Sequence, residues 1–256
     1  MSAPLPKKVL VRCFLRSLVL QAAWNVRGMQ NLGFAYAMWP ALSHLYPDRT
    51  TRRQAVLRHV KPFNTHPYMA EAILGGAIFH EVRIAAGEED TGSVTRFKQA
   101  LAGPLAGLGD TFFWAGLRPA IGATGVLLLP LIGVWAIPVF LLLYNAVHIA
   151  VRIYLFRSGL GLGDSVLSAL GPLKLAERAG ALKSVAAAAA GLAVVAWVGT
   201  QADALGYSVP RVSLAVCGGA AVLVLLRRAG VSPYLLAGVA AGAGIIAGLA
   251  GVMGEI

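Results

Sequence analysis

The sequence predicts an all-α integral membrane protein, and three observations carry that class. Of its 256 residues 57% are hydrophobic and only 13% are charged, against roughly 25% charged in a soluble domain. So little polar surface cannot cover a water-soluble globule. Beyond Pro119 the chain falls into apolar segments with cations at their edges, where the positive-inside rule places them. Between these lies the block from Gly103 to Pro119, which sets Gly103, Pro104, Gly107, Gly109, Asp110 and Arg118 against the start of the apolar stretch. Glycine and proline interrupt the helical ladder, and backbone groups freed at membrane depth must find partners in protein or water. The block is therefore expected as a broken or re-entrant helix lining a cavity. A charged residue such as Asp110 at the bilayer centre costs about 2.5 to 3.5 kcal/mol even on insertion scales, so its presence there reads as functional.

From the N-terminus, Lys8, Arg12 and Arg16 recur every fourth residue beside an apolar stripe of Val11, Phe14, Leu15 and Leu18. That is an amphipathic helix lying in the membrane interface or packed on a partner subunit. Arg12 and Arg16 interrupt any apolar signal-peptide core, and no small-residue cleavage site follows, so no signal peptide is expected. Residues 1 to 100 carry 13 Lys and Arg against 6 Asp and Glu, with no apolar run long enough to span. A helix is expected from Thr50, capped by Thr50 or Thr51, with Ala55, Val56 and Val60 on one face, until Lys61 and Pro62 stop it. A second runs from Tyr68 to Ala86 and ends at Gly87, before a solvated loop of Glu88 to Gly92.

Four membrane segments are expected: Pro119 to Val151, Ser184 to Thr200, Val212 to Leu226 and Val231 to Gly254. The first, interrupted by Pro130, Gly133 and Pro138, reads either as one tilted span or as a hairpin. The middle two are short for a core of ~30 Å and lean on snorkelling by Arg211, Arg227 and Arg228. The stretch from Arg152 to Lys183 holds Arg152, Arg157, Lys174, Arg178 and Lys183 against Asp164 and Glu177, which places it in the cytoplasm and the C-terminus outside. The expected organisation is a cytoplasmic or interfacial, amphipathic and re-entrant helical region over 1–100 with the N-terminus in the cytoplasm, a glycine-rich broken helix and first membrane-spanning segment or segments over 101–151, a cytoplasmic loop over 152–183 and transmembrane helices over 184–256. The alanines from 186 to 190 and the series Gly238, Gly242, Gly244, Gly248 and Gly251 read as close-packing helix surfaces, which argues for assembly.

The net charge of +11 comes without a basic run interleaved with aromatics, so membrane topology, not nucleic acid, accounts for it. Cys13 and Cys217 are far apart and read as packing residues. His44, His59, His66, His80 and His148 have no ligand spacing, so no metal and no cofactor are expected. Gly159, Gly161 and Gly163 lack the strand that a dinucleotide fingerprint needs. No nucleophile triad or phosphate-binding loop occurs, and no catalytic residue is assigned. The tetrapeptide Gly-Leu-Gly-Asp occurs at both 107–110 and 161–164, which a chain rich in glycine allows by coincidence.

Two polar clusters suit a ligand. The tip Phe63-Asn64-Thr65-His66-Pro67 lies between two helices, and Asn64 and Thr65 offer uncharged donors and acceptors fit for a polyhydroxylated molecule. An Asn-Thr helix cap would look the same. Trp24, Asn25, Gln30 and Asn31 with Phe34, Tyr36 and Trp39 combine amides with aromatic faces, as sugar sites do, although interfacial anchoring explains Trp39 equally.

On these residues the chain resembles the IID membrane component of the mannose, fructose and sorbose family of the bacterial phosphotransferase system. The likeness rests on Trp24, Asn25 and Met29-Gln30 with Gly33-Phe34, on Leu45-Tyr46-Pro47, on Phe63 to Pro67, on Gly103 to Gly107 with Gly109-Asp110, and on Phe113-Trp114 with Arg118-Pro119. It implies a multi-pass subunit of the bacterial cytoplasmic membrane that forms a hexose pathway with a IIC partner in a larger hetero-oligomer. IIB and IIA proteins would carry the phosphoryl group, so this chain would hold no phosphohistidine. Carried over by position, Asn64, Thr65, His66, Asp110, Trp114 and Arg118 would bind substrate, with Gln30 and Asn25 next. Gly103, Pro104, Gly107 and Gly109 would shape the backbone. Thr111 departs from the Pro or Ser that more often follows the aspartate in the family. The competing readings are a non-transporting scaffold or sensor that recruits phosphotransferase proteins, and a stand-alone ion-coupled transporter using Asp110.

Overall fold

A computed structural model describes residues 5–204, and among them every regular element is helical. In order these are α1 (Lys7–Ser17), α2 (Asn31–Leu45), α3 (Arg49–His59), α4 (Ala70–Ala85), α5 (Ser93–Gly109), α6 (Arg118–Ile132), α7 (Ala136–Leu162) and α8 (Leu175–Ala204). Residues up to Ala189 form one compact unit; a second begins at Ala190, where the described part is the continuation of α8. The spans expected at 212–226 and 231–254, the glycine series from Gly238, Cys217 and the C-terminus lie outside the described residues.

The amphipathic reading of α1 holds. Cys13 and Ser17 face inward against α2, while Val11, Leu15 and Leu18 stay exposed as an apolar stripe. On α2 the spacing of Phe34, Met38 and Leu42, with Ala37 and Ala41, buries one wide face completely. At the start of α3 the cap is Asp48, not Thr50 or Thr51: its carboxylate accepts the Thr51 N–H at 2.7 Å. Asp48 competes better because an anion at a helix N-terminus also meets the positive end of the dipole.

The centre of the unit is α4, buried along most of its length with Ile73, Leu74, Ala77 and Ile78 inside. Its closest neighbour is α7. Gly75 faces the backbone of Phe156 and Leu160, and Gly159 faces Ala72 and Gly76, so a Cβ on either glycine would collide with main chain. Small residues here let two helices approach backbone to backbone. Gly159 thus has a packing role, and Gly163 closes α7 at φ +51.

Two expectations are corrected and one open alternative is resolved. The Gly103 to Asp110 block does not break the helix: α5 runs unbroken through Gly103, Pro104 and Gly107, and at Asp110–Leu117 its ladder widens into a π-helix that continues into α6. Glycine still accepts helical dihedrals, and Pro104 sits on an exposed face where its lost hydrogen bond is cheapest. The stretch 152–183, expected as a loop, is helical, because Arg152 and Arg157 belong to α7 and a 3₁₀ segment at Gly163–Leu173 leads into α8. For residues 119–151 the hairpin alternative holds. The chain turns at Gly133, φ +55, and α7 returns along α6 with Phe140 beside Gly125. The hairpin tip exposes Leu131, Val134, Trp135 and Leu142. Among the described residues one helical stretch, within Ser93–Val194, is long and apolar enough to cross a membrane, and almost none of its most apolar part is buried in the chain.

Candidate functional site

The turn between α3 and α4 is held from across the chain by Gln30. This buried amide donates from Nε2 to the Thr65 carbonyl at 2.7 Å and accepts the Thr65 N–H at 3.0 Å, while its own N–H reaches the Phe63 carbonyl at 2.9 Å. A side-chain amide that satisfies both sides of one peptide position acts as a strand partner for an irregular segment. Asn25 does similar work one step away: its Oδ1 accepts the Gly28 N–H at 2.8 Å and its Nδ2 donates to Asn31 at 3.0 Å. Met29 takes a positive φ of 55° in this loop. Gln30 and Asn25, expected as substrate residues, are thus engaged in shaping the turn. Thr65 is buried with Gln30, while Asn25 is half-buried and Asn64 is left exposed. No side chain caps α4, so the tip is not an Asn-Thr helix cap.

His66 turns inward from the same tip. Gly109 makes room for it, since a Cβ there would overlap the imidazole. The ring stacks on Phe113 with centroids 5.2 Å apart and meets the edge of Trp114 at 4.9 Å. Its Nδ1 accepts the Tyr68 N–H at 3.2 Å, which assigns the proton of the neutral ring to Nε2. Burial, and then the charge of Arg152, push His66 down to about 4, so it is neutral at pH 7. Nε2 is buried without a hydrogen-bond partner.

Along the helix that passes His66, Asp110, Trp114 and Arg118 follow at intervals of four and are all exposed. The π-helix makes this alignment. Its bonds run from i to i−5, as in Arg118 N–H to the Phe113 carbonyl, and the wider turn brings residues four apart closer to one line. Gly107 and Gly103 are exposed one and two turns earlier, and among the described residues a Cβ on either would meet nothing within 4 Å. The structure therefore joins two of the expected groups, His66 with Gly109 and Trp114, and presents Asp110, Trp114 and Arg118 outward.

Two buried ionic clusters escaped the sequence reading. Arg152 on α7 donates from Nε to Glu71 on α4 at 2.7 Å and from Nη2 to the Ser17 carbonyl at 2.9 Å, and Ser17 Oγ donates to the same carboxylate at 3.0 Å. His148 stacks on Tyr68 at 4.4 Å and bonds Asn145 at 2.8 Å, so it packs as expected, but it is only half satisfied, since its Nδ1 is buried with no hydrogen-bond partner among the described residues. The second cluster gathers on Glu81. Arg58 grips both of its oxygens at 2.7 Å, His59 Nε2 lies at 2.8 Å and Tyr46 donates to Oε2 at 2.7 Å. Burial raises the Glu81 carboxyl, but the bonds from Arg58 and His59 outweigh it and hold the group at about 2. His59, wholly buried, is pushed down to about 4. The available signal was two glutamates inside the largely apolar run from Tyr68 to Ala86, which helical burial forces to seek partners.

The family model for the phosphotransferase system mannose/fructose/sorbose family IID component matches residues 4–253. The chain belongs to this family. Its relatives carry several sugar specificities. It is 41% identical over 167 residues to the mannose-specific component of Escherichia coli strain K12, a match covering 62% of this chain and 56% of that protein. It is 35% identical to a sorbose-specific component of Klebsiella pneumoniae, over 63% of this chain and 60% of that one. It is 34% identical to the fructose permease IID component of Bacillus subtilis, over 65% and 61%. The matched stretch thus spans little more than half the length of these relatives. A solved complex of the mannose transporter ManYZ with microcin E492 contains a chain similar over 98% of this one and 97% of its own, at TM-score 0.61 and 29% identity. A second structure, described as a membrane protein, reaches TM-score 0.73 at 29% identity over 98% of both chains. Membership makes this IID component membrane-associated, in line with the exposed apolar helix.

Proposed function

We propose that this IID component is the membrane subunit of a phosphotransferase permease and forms the hexose pathway with a IIC subunit, while a IIB protein fed by IIA phosphorylates the sugar. One observation carries the reading: Asp110, Trp114 and Arg118 project from a single exposed face that continues the glycine surface of Gly103 and Gly107. Small residues on a membrane helix favour another helix at close range, and an aspartate and an arginine beside them require a polar neighbour. A IIC subunit on that face would meet both needs and enclose a route whose inner wall includes Trp114 and the His66 tip. The specificities of the relatives support a hexose as cargo. Asn64, Asp110, Trp114 and Arg118 would contact it, and Gln30, Asn25 and Thr65 would hold Asn64 in place. The exposed stripe of α1 would rest on the lipid interface, and the hairpin tip near Gly133 would enter the apolar core of the bacterial cytoplasmic membrane.

The test is mannose-dependent dephosphorylation of IIB in vesicles that contain this chain and its IIC subunit. Transport predicts sugar-dependent loss of the phosphoryl group, abolished by Asp110→Asn with assembly intact. A scaffold would show no sugar dependence.

A further inference from the structure

Between the Phe63-Asn64 turn and the start of α5 lies a cleft of about 280 Å³, whose polar groups come from Arg58, Lys61, Asn64, Thr95, Lys98 and Gln99 and whose remaining, largely apolar wall comes from Met29, Pro62, Phe63 and Ala102. Lys98 forms its floor. The residue is 5% exposed, and its ammonium has neither a hydrogen bond nor an ion pair among the described residues. It rests instead over the rings of Phe34 and Phe63, 4.3 and 5.1 Å from their centroids. Aromatic faces ease the burial of a cation but supply no counter-charge. A buried lysine normally has an anion, because removing an ammonium from water is costly.

The charges around the cleft can be assigned element by element. From α4 the one carboxylate nearby is Glu81, and both of its oxygens are held by Arg58 at 2.7 Å, with His59 and Tyr46 on the same group. From α5 the neighbouring Arg96 is paired with Asp90 at 2.7 Å. Arg58 is therefore compensated, and α2 contributes only the face of Phe34. Lys98 on the floor feels Glu81 only as a charge that Arg58 already grips, and burial pushes its amine down to about 7, so Lys98 and Lys61 on the rim lack a carboxylate of their own. Asn64 and Gln99 add uncharged donors, and Thr95 adds a hydroxyl in the first turn of a 17-residue helix, the positive end of its dipole. A second groove shares Arg58, Lys61 and Thr95 and opens the cleft further to solvent.

We propose that this cleft binds a phosphate monoester, whose two negative charges match Lys98 and Lys61 and whose terminal oxygens take the donors of Asn64, Gln99 and Thr95. A monoester carries nearly two charges at pH 7 and three strong acceptor oxygens, so it uses both lysines and the donors between them. A carboxylate would leave one lysine bare, and a neutral hexose both. The group can arrive on a soluble ester or on the headgroup of phosphatidic acid. That the soluble ester is a hexose phosphate rests on the permease reading above; the phosphate site itself does not.

The experiment uses the full chain in phosphatidylcholine nanodiscs at pH 7.5, titrated calorimetrically with inorganic phosphate and with mannose 6-phosphate. A parallel set of nanodiscs containing phosphatidic acid is compared by thermal melting. Saturable binding of the soluble phosphates, weakened at least tenfold by Lys98→Met and by Lys61→Ala, is the expected result. Stabilisation by phosphatidic acid alone, lost in both variants, supports the site with lipid as the source. Absence of both effects, or variants that bind as the parent does, overturns it. Should Lys98→Met fail to fold, Lys61→Ala decides, since Lys61 is exposed. Vesicles that bind phosphate normally yet take up no sugar with IIC present would strike the permease reading and leave the phosphate site standing.

Discussion

Arg152 on α7 reaches across to Glu71 on α4 and donates to its carboxylate at 2.7 Å, linking residues 81 positions apart inside the packed unit. The pair ties together the two helices that pack most extensively, and Ser17 brings α1 into the same knot. Breaking such a pair strands a buried charge. Arg152→Met is expected to destabilise the chain by about 3 to 5 kcal/mol, and the double variant Arg152→Met, Glu71→Leu by markedly less. Thermal melting in detergent compares the two, and equal losses would remove the pair from its structural role.

Glycines on the long helix divide by what faces them. At Gly109 a methyl group meets His66, so Gly109→Ala should cost about 1 to 3 kcal/mol through overpacking. At Gly107 a methyl group meets nothing within 4 Å among the described residues, and Gly107→Ala should stabilise the isolated subunit by up to about 1 kcal/mol. The same change should weaken co-purification with a IIC subunit if that face is the contact. Melting midpoints together with pull-down yields separate these effects.

The folded chain loses stability in acid through named groups. His59 and His66 ordinarily titrate at 6.5 and are held near 4 in the fold, so the unfolded chain binds their protons first. Their contribution is complete above about pH 6.5 and declines as pH falls toward 4. Glu81, ordinarily at 4.5, is held at about 2, so its contribution is present above 4.5 and is lost between there and 2. Tm should therefore fall in two stages on acidification. Replacing His59 by Gln should shrink the upper stage to the part due to His66, and should also narrow the lower stage because His59 helps hold Glu81 down; a single loss below pH 4 would contradict the assignment.

At the hairpin, Gly133 holds φ at +55 with open space around it. Gly133→Ala should cost about 1 to 2 kcal/mol from left-handed strain alone. Gly163, φ +51, also faces the ring of Phe79, so Gly163→Ala should cost more than Gly133→Ala. Equal losses in a melting comparison would mean that the Phe79 contact contributes nothing.

Much of the helical order was legible locally. The fourfold recurrence of Lys8, Arg12 and Arg16 defined α1, Gly87 ended α4, and Pro130 to Pro138 marked the hairpin. What resisted reading depended on distance or on geometry outside the usual menu. Glu71 finds Arg152 only once α4 and α7 are packed, and charge counting had placed Arg152 in a loop. Gln30 and Asn25 have the composition of a sugar site, but their hydrogen bonds go to the turn carrying Asn64. The glycine block was rightly singled out as unusual backbone. Its departure is a widened turn, which no propensity scale distinguishes from a break.

That widened turn sets the angular phase of everything after it. Successive residues of an α-helix differ by about 100°, so tightening all eight residues of Asp110–Leu117 to α geometry would swing Arg118 and all of α6 around the axis by roughly that angle, and the hairpin would point elsewhere. Deleting one of the eight would let the ladder tighten and leave α6 in its present direction. A single surplus residue thus works as the index pin of the molecule, aligning an arginine at one end of the segment with an aspartate at the other.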